Sequence, residues 1–303
     1  MCWSGRLKLL SEFRSGFVSF VGRPNVGKST LTNAIAGQKV AITSSKPQTT
    51  RRAIRAIKTT EKGQLIMVDT PGLHRPRTLL GQRLNDLVSS TLSEVDVIVF
   101  CTPANEPIGP GDKKIVADIQ KYSKAKKLAV VTKCETVSKS KLAEHLMKVA
   151  AMENWEEIVP VSAVTADQLE LLEQLLLGYL PIGPLLYEAD TVSEELLEDQ
   201  ICELVREAAL ELVNDELPHS LAVTLDEIIY EDPKPTVHVS VWVERDSQKG
   251  IIIGKGGSML KTIGQKARRE VQALMGEPVH LAIQVRIAQN WQRNPKQLGK
   301  LGF

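Results

Sequence analysis

Between Phe17 and Ala163 the chain alternates short apolar runs with helical patterns. The runs are FVSFVG (17–22), QLIMVDT (64–70), DVIVFC (96–101), KLAVVT (127–132) and EIVPVSA (157–163). Ser29 to Ala36 and Lys113 to Tyr122 have helical spacing between them. Strands alternating with helices predict an α/β layout, a mostly parallel sheet with helices on both faces. TADQLELLEQLLLGYLP (165–181) predicts a closing helix stopped by Pro181. PIGPLLYEAD (181–190) then reads as a linker.

The order of patterns changes after that point. Residues 194–213 predict an amphipathic helix, and LAVTLDEIIY (221–230) and PTVHVSVWVE (235–244) predict strands. In the second of these Val237, Val239, Val241 and Val243 share one face. A short apolar helical turn, GIIIG, precedes a helix to about Met275, along which Leu260, Ile263, Ala267, Val271 and Leu274 form a stripe. VHLAIQVRI (279–287) closes the series as a strand. The expected division is an N-terminal extension (1–16), an α/β domain (17–181), a linker (182–195) and an α+β domain (196–303).

A length of 303 residues accommodates two domains, and a formal net charge of +2 by itself predicts no polyanion partner. The charge distribution changes that picture. From Leu186 to Asp232 the only Lys or Arg is Arg206. From Asp246 onward Lys249, Lys255, Lys261, Lys266, Arg268, Arg269, Arg286, Arg293, Lys296 and Lys300 face only Asp246, Glu270 and Glu277, which points to a polyanion bound by the last segment. Four scattered cysteines, Cys2, Cys101, Cys134 and Cys202, form no metal-ligand spacing and fit a reducing, cytoplasmic setting. No apolar run is long enough to span a bilayer, and the first residues lack the apolar core and cleavage site of a signal peptide.

GRPNVGKS (Gly22, Arg23, Pro24, Asn25, Val26, Gly27, Lys28, Ser29) follows a strand, and with Thr30 it opens a helix, the context in which G-x-x-x-x-G-K-S acts as a phosphate cradle. Its main-chain N–H groups and the helix N-terminus favour an anion, Lys28 reaches the outer phosphate oxygens and the Ser29 hydroxyl suits Mg²⁺. Asp69, Thr70, Pro71 and Gly72 end another apolar strand. The acid can hold a Mg²⁺ shell and the Gly72 N–H can contact a terminal phosphate. In the polar loop SSKPQTTRRAI, Thr50, with Thr49 as the alternative, is placed to close over the metal. Arg51 and Arg52 could approach the phosphates but read rather as solvated or RNA-facing residues, and His74 as a surface or hinge residue rather than a general base.

With GRPNVGKSTLTNAIAG, KPQTTR, DTPGLH and the basic tail, the chain resembles the Era GTPase family from about Phe17 to its C-terminus. The resemblance implies a P-loop GTPase domain using GTP/GDP and Mg²⁺, followed by a type II K-homology domain that binds small-subunit ribosomal RNA near its 3′ end in assembly of that subunit. It implies catalytic parts at Lys28, Asn25, Thr50 and Gly72, with Ser29, Thr50 and Asp69 around the metal. Asn25 resembles the P-loop asparagine that holds K⁺ in related GTPases. Thr132, Lys133, Cys134 and Glu135 occupy the base-reading N-K-x-D slot, and Ser162-Ala163 the S-A slot. The slot departs from the pattern: Thr132 lacks an amide to brace the P-loop and face the base, and Glu135 is one methylene longer than aspartate. Leu73 stands where a Ras-like enzyme carries its water-orienting glutamine, so slow unaided turnover is expected.

In the basic segment, IIIGKGG contains Gly254-Lys255-Gly256-Gly257, a G-x-x-G within an α-β-β-α-α-β order similar to the bacterial K-homology arrangement. Such domains hold about four nucleotides of single strand. Lys249, Lys255, Lys261 and Arg268 are candidate phosphate contacts, and Ile252 and Ile253 are candidate groove residues that core packing explains better. The chain is expected to work as a monomer, with peripheral membrane contact left open. Two other readings stand beside this one. A P-loop small-molecule kinase shows no legible acceptor site, and an RNA-binding module with a degenerate or weakly guanine-selective nucleotide site is kept open by the altered base loop.

Overall fold

The computed structural model describes residues 13–44, 46, 48–73, 75–213, 217–230 and 233–303. The chain divides into two compact units. In the first, strands β1 (Arg14–Val21), β2 (Ile54–Thr59), β3 (Gly63–Asp69), β4 (Val97–Pro103), β5 (Lys126–Thr132) and β6 (Ile158–Pro160) form one sheet in the order β2-β3-β1-β4-β5-β6. All pairings are parallel except β2 with β3. Helices α1 (Lys28–Ala36), α2 (Leu79–Glu94, in this unit from Leu84 onward), α3 (Pro110–Ile119), α4 (Lys139–Ala150) and α5 (Leu169–Tyr179) follow in chain order.

The sheet is buried on both faces, which is why its strands read as continuous apolar runs. Val18 and Phe20 of β1 pack with Leu31 and Ile35 of α1 and with Leu172 and Leu176 of α5. Val21 packs on the other face, with Val88 and Leu92, with Ile115 and Ile119 of α3 and with Val149 of α4. Strand β2 is absent from the apolar runs of the sequence. It lies at the sheet edge, and its residues IRAIKT alternate with Arg55 and Lys58, so no unbroken run marks it.

The stretch expected as a linker runs along the first unit and is hydrogen-bonded to it. Gly183 N–H donates to Phe13 O at 3.0 Å, and Ile57 N–H donates to Val192 O at 2.8 Å. The fully buried Gln64 carboxamide accepts from the N–H groups of Leu186 and Tyr187, each at 2.9 Å, and donates to Tyr187 O at 3.0 Å.

The second unit contains α6 (Leu197–Leu212), α7 (Leu217–Ser220), β7 (Ala222–Ile229), β8 (Thr236–Val243), α8 (Asp246–Ile253), α9 (Ser258–Met275), β9 (His280–Ile287) and α10 (Pro295–Lys300). Its sheet runs β7-β8-β9, antiparallel then parallel. The four alternating valines of β8 are all fully buried, and they meet Ile201, Val205 and Ala209 of α6 and Ile263, Ala267 and Val271 of α9. The 3.6-residue stripe on α9 is therefore a core face, and its charged residues lie opposite, in solvent.

Candidate functional site: a phosphate cradle and a basic groove

The P-loop lies between the end of β1 and the start of α1. Lys28 is buried, and its Nζ donates to Arg23 O at 3.1 Å and lies 3.5 Å from Gly22 O. Burial pushes its pKa down from the usual lysine value, with Asp69 opposing. Ser29 Oγ donates to Asp69 Oδ2 at 2.6 Å, Thr50 Oγ1 donates to the same oxygen at 3.2 Å, and the two hydroxyls are 3.0 Å apart. Thr49, the alternative, turns elsewhere and donates to Lys46 O at 2.7 Å. Asp69 is fully buried, which raises its carboxyl pKa against the pull of Lys28 and the two hydroxyls. Its Oδ1 has no hydrogen-bond partner among the described residues.

Two hydroxyls and one buried carboxylate with a spare oxygen form a hard-oxygen set that fits Mg²⁺. This ion takes few protein carboxylates and completes its shell with water and phosphate. Among the described residues there is no cluster of three or more His, Cys, Asp or Glu.

Gly72 and Leu73 lie against the P-loop. A methyl at Gly72 would sit 2.8 Å from Pro24 Cα, so only glycine allows the turn to approach, and Leu73 N–H donates to Gly22 O at 3.2 Å. The Leu73 side chain packs against the hydrophobic cluster that contains Val21 and Val68, and a leucine cannot hydrogen-bond a water. Arg51, read as solvated or RNA-facing with phosphate approach as the alternative, is 3% exposed, while Arg52 is half-buried. His74 lies outside the described residues.

The altered base loop behaves differently from its sequence expectation at one end. Thr132, at the end of β5, donates its hydroxyl to Val26 O at 2.5 Å, so the P-loop is braced without an asparagine amide. Lys133 has a left-handed backbone, φ 57°, and its Nζ donates to Asn25 O at 2.9 Å, which lays its stem across the loop. Cys134 is buried with its N–H donating to Val161 O at 3.3 Å. Glu135 is exposed on the next turn. Ser162 is fully buried and accepts from Thr165 N–H at 3.1 Å, with Ala163 half-buried beside it.

In the second unit, Gly254 ends α8 with φ 71° and ψ 173°, Gly256 has φ 58°, and Gly257 caps α9 with φ 80°. Lys255 and Gly256 are exposed, and Lys249 is half-buried on α8. Beside this hairpin is a cavity of about 450 Å³ lined by Gly257, Leu260, Lys261, Gly264, Gln265, Arg268, His280, Leu281 and Ile283. It thus includes Lys261 and Arg268 from the expected set. Ile252 does not face it: the side chain is fully buried in the core, and Ile253 is half-buried outside the lining. The apolar walls, Leu260, Leu281 and Ile283, had a signal in the sequence, the shared faces of α9 and β9. Gln265 and His280 had none.

A phosphate loop, a converging hydroxyl–hydroxyl–carboxylate set and a base loop on a parallel sheet, followed by a glycine hairpin beside a basic groove, define a P-loop GTPase joined to a K-homology RNA-binding domain. Residues 17–133 match the family model described as 50S ribosome-binding GTPase, and residues 216–292 match the KH domain model. The chain belongs to the Era GTPase family. It is 55% identical over 301 residues to GTPase Era of Nocardioides sp. (strain ATCC BAA-499 / JS614), covering 96% of each chain. It is also 55% identical over 299 residues to GTPase Era of Mycolicibacterium smegmatis, covering 97% of this chain and all of that one. Among solved structures it is similar to Era in complex with MgGDPNP and nucleotides 1506–1542 of 16S ribosomal RNA, at 34% identity and a TM-score of 0.93 over 96% of this chain and 99% of that one. A single-residue variant of Aquifex aeolicus Era bound to GDP·AlF4⁻ gives a TM-score of 0.92 with the same coverage and identity.

Proposed function

We propose that this GTPase is a timed switch that binds small-subunit ribosomal RNA and acts in maturation of that subunit. The observation that carries the reading is the meeting of Ser29, Thr50 and Asp69 beside Lys28. A structural turn has no need to bring a loop threonine to a buried acid at the mouth of a phosphate loop. That meeting supports a working phosphate site over a degenerate one. The 16S fragment held by the solved relative favours the small subunit over the large one in the family model's name.

In this reading the GTPase domain spans 17–181, the linking segment 182–195 and the K-homology domain 196–303. The main-chain N–H groups of the loop from Gly22 to Thr30, Pro24 having none, cradle the β-phosphate, Lys28 spans β- and γ-oxygens and the Gly72 N–H meets the γ-phosphate. Ser29, Thr50 and Asp69 would hold Mg²⁺, which when bound would supply charge neutralisation at the phosphate oxygens. Thr132 keeps the P-loop in register, the Lys133 stem covers the purine, and Cys134, Glu135, Ser162 and Ala163 border its edge. Lys249, Lys255, Lys261 and Arg268 neutralise RNA phosphates while Gly254, Gly256 and Gly257 admit the backbone. The protein works as a monomer in the cytoplasm, and no helix among the described residues is long and apolar enough to cross a membrane.

Two outcomes test the nucleotide site. Glu135 must fold back to reach guanine, so GTP outcompetes ATP by a reduced margin, and Glu135→Asp raises GTP affinity about ten-fold with ATP affinity unmoved. Competition of ATP against a labelled GTP analogue measures both, and equal affinities for ATP and GTP would remove the guanine assignment. Asn25, exposed at φ 63° in the P-loop, would hold K⁺, a charge doing part of an arginine finger's work. Turnover in KCl is then several-fold faster than in NaCl, and identical rates end that role.

For the function as a whole, the decisive experiment pairs phosphate release from GTP by the full chain with crosslinking in cells and sequencing of the attached RNA. The reading predicts slow turnover and enrichment of the 3′ end of small-subunit RNA. An absence of turnover, or RNA from elsewhere, overturns it.

A further inference from the structure

Arg23, the second residue of the P-loop, is held by a side chain that belongs to none of the motifs above. Its Nε donates to Asp112 Oδ1 at 2.8 Å, and its Nη2 lies 3.2 Å from Glu106 Oε2. Asp112 is 0% exposed, and its other oxygen accepts from Gly109 N–H at 2.8 Å, capping α3. The stem is packed as well: a methyl at Gly111 would lie 3.3 Å from Arg23 Cδ. One buried carboxylate therefore joins the start of the P-loop to the start of α3.

The main chain of the same residue serves the phosphate side, for its carbonyl accepts from Lys28 Nζ at 3.1 Å. The far end of the loop is fixed separately, by the Thr132 hydroxyl on Val26 O. A loop pinned at both ends keeps its amides aimed at one point. A charge-assisted hydrogen bond to a fully buried acid is the stronger kind of pin, and removing one partner leaves the other charge buried and unpaired.

We infer that Arg23 is a positioning residue for nucleotide binding, acting through Asp112 to hold the P-loop main chain in its phosphate-binding shape. The inference rests on the GTPase reading. P-loop amides meet the β-phosphate alike in substrate, transition state and product. A slack loop therefore loses uniform binding, which raises KM and leaves kcat in place.

The test uses the full chain as wild type, Arg23→Ala, Arg23→Lys, Asp112→Asn and the double variant Arg23→Ala/Asp112→Asn. GDP affinity, GTP turnover and nucleotide-free melting are measured for each. Arg23→Ala is expected to raise the GTP KM and the GDP Kd together by about ten-fold, with kcat within about two-fold of wild type. Arg23→Lys recovers part of the loss, and the double variant binds no more weakly than Arg23→Ala, because the unpaired charge is gone. Should Arg23→Ala fail to fold, Asp112→Asn reads the same effect as a smaller KM rise, of about three-fold. A GDP Kd within about two-fold of wild type in the folded Arg23→Ala chain, or a fall in kcat at constant KM, overturns the inference. A wild-type chain that binds no GDP sinks the GTPase reading instead, so the two failures are distinct.

Discussion

Lys28→Ala yields a folded chain that binds GTP on the order of a hundred-fold more weakly and hydrolyses it at least about a hundred-fold more slowly than wild type. The ammonium is buried, so its interaction with phosphate is little screened. The other lysine bonded to the P-loop main chain, Lys133 at Asn25 O, is half-buried and does not replace it. A hydrogen bond from a charged donor contributes about 1.5–3 kcal/mol, the scale of ten- to a hundred-fold. Charge gathering on the γ-phosphate in the transition state adds a further loss in kcat.

The fold tolerates this change. The Lys28 ammonium bonds to the carbonyls of Gly22 and Arg23, and Gly22 O also accepts from Leu73 N–H. Burial already lowers the pKa of the ammonium, so losing it also relieves a desolvated charge. Titration with a fluorescent GDP and phosphate-release assays measure the two losses, while melting reports the fold. Turnover within about ten-fold of wild type would falsify the assignment of this loop as the phosphate site.

The second large effect separates two glycines of the downstream hairpin. Gly256 has φ 58° and nothing within 4 Å of an added Cβ, and aspartate is among the residues that accept the left-handed region. Gly256→Asp therefore leaves the fold and GTP turnover intact while setting a carboxylate where an RNA phosphate must approach. Affinity for a single-stranded ribosomal RNA fragment is expected to fall on the order of a hundred-fold, and its salt dependence to flatten as contacts are lost.

Gly254 is different. Its φ of 71° with ψ 173° is open to glycine alone, and an added Cβ would lie 2.6 Å from Met259 Cβ and 2.8 Å from Met259 N. Gly254→Ala costs about 1–3 kcal/mol in backbone strain before any clash, so it lowers the melting temperature as well as RNA affinity. Melting curves and RNA titrations on both variants discriminate. If Gly256→Asp binds RNA as wild type does, the hairpin is not the RNA clamp.

Much of the architecture was written locally. Five of the six strands of the first sheet are apolar runs because both faces are covered, and the valine alternation of β8 and the stripe on α9 each name their buried face. The edge strand β2 escaped because only one side of it pairs, which leaves room for Arg55 and Lys58. Glycine spacing marked both proposed anion sites, since a loop that admits a phosphate needs that residue at fixed intervals whatever surrounds it.

The sequence by itself determined the type of most elements, the order of the two patterns along the chain and the chemistry available at each motif, because periodicity, turn residues and helix starts are settled within a few residues. Only the tertiary structure decided which of those groups meet. Strand β1 pairs with β3 in a register that sets Phe20 opposite Asp69, and this brings the acid to Ser29. The pairing of β4 with β5 sets Pro103 opposite Thr132, which delivers a hydroxyl to the Val26 carbonyl in place of the missing amide. Ile252 went to the core rather than the groove, Arg51 went inside, and Arg23 found Asp112. These outcomes depend on registers and packing between segments far apart in the chain, and no local pattern carries the free energy that selects them.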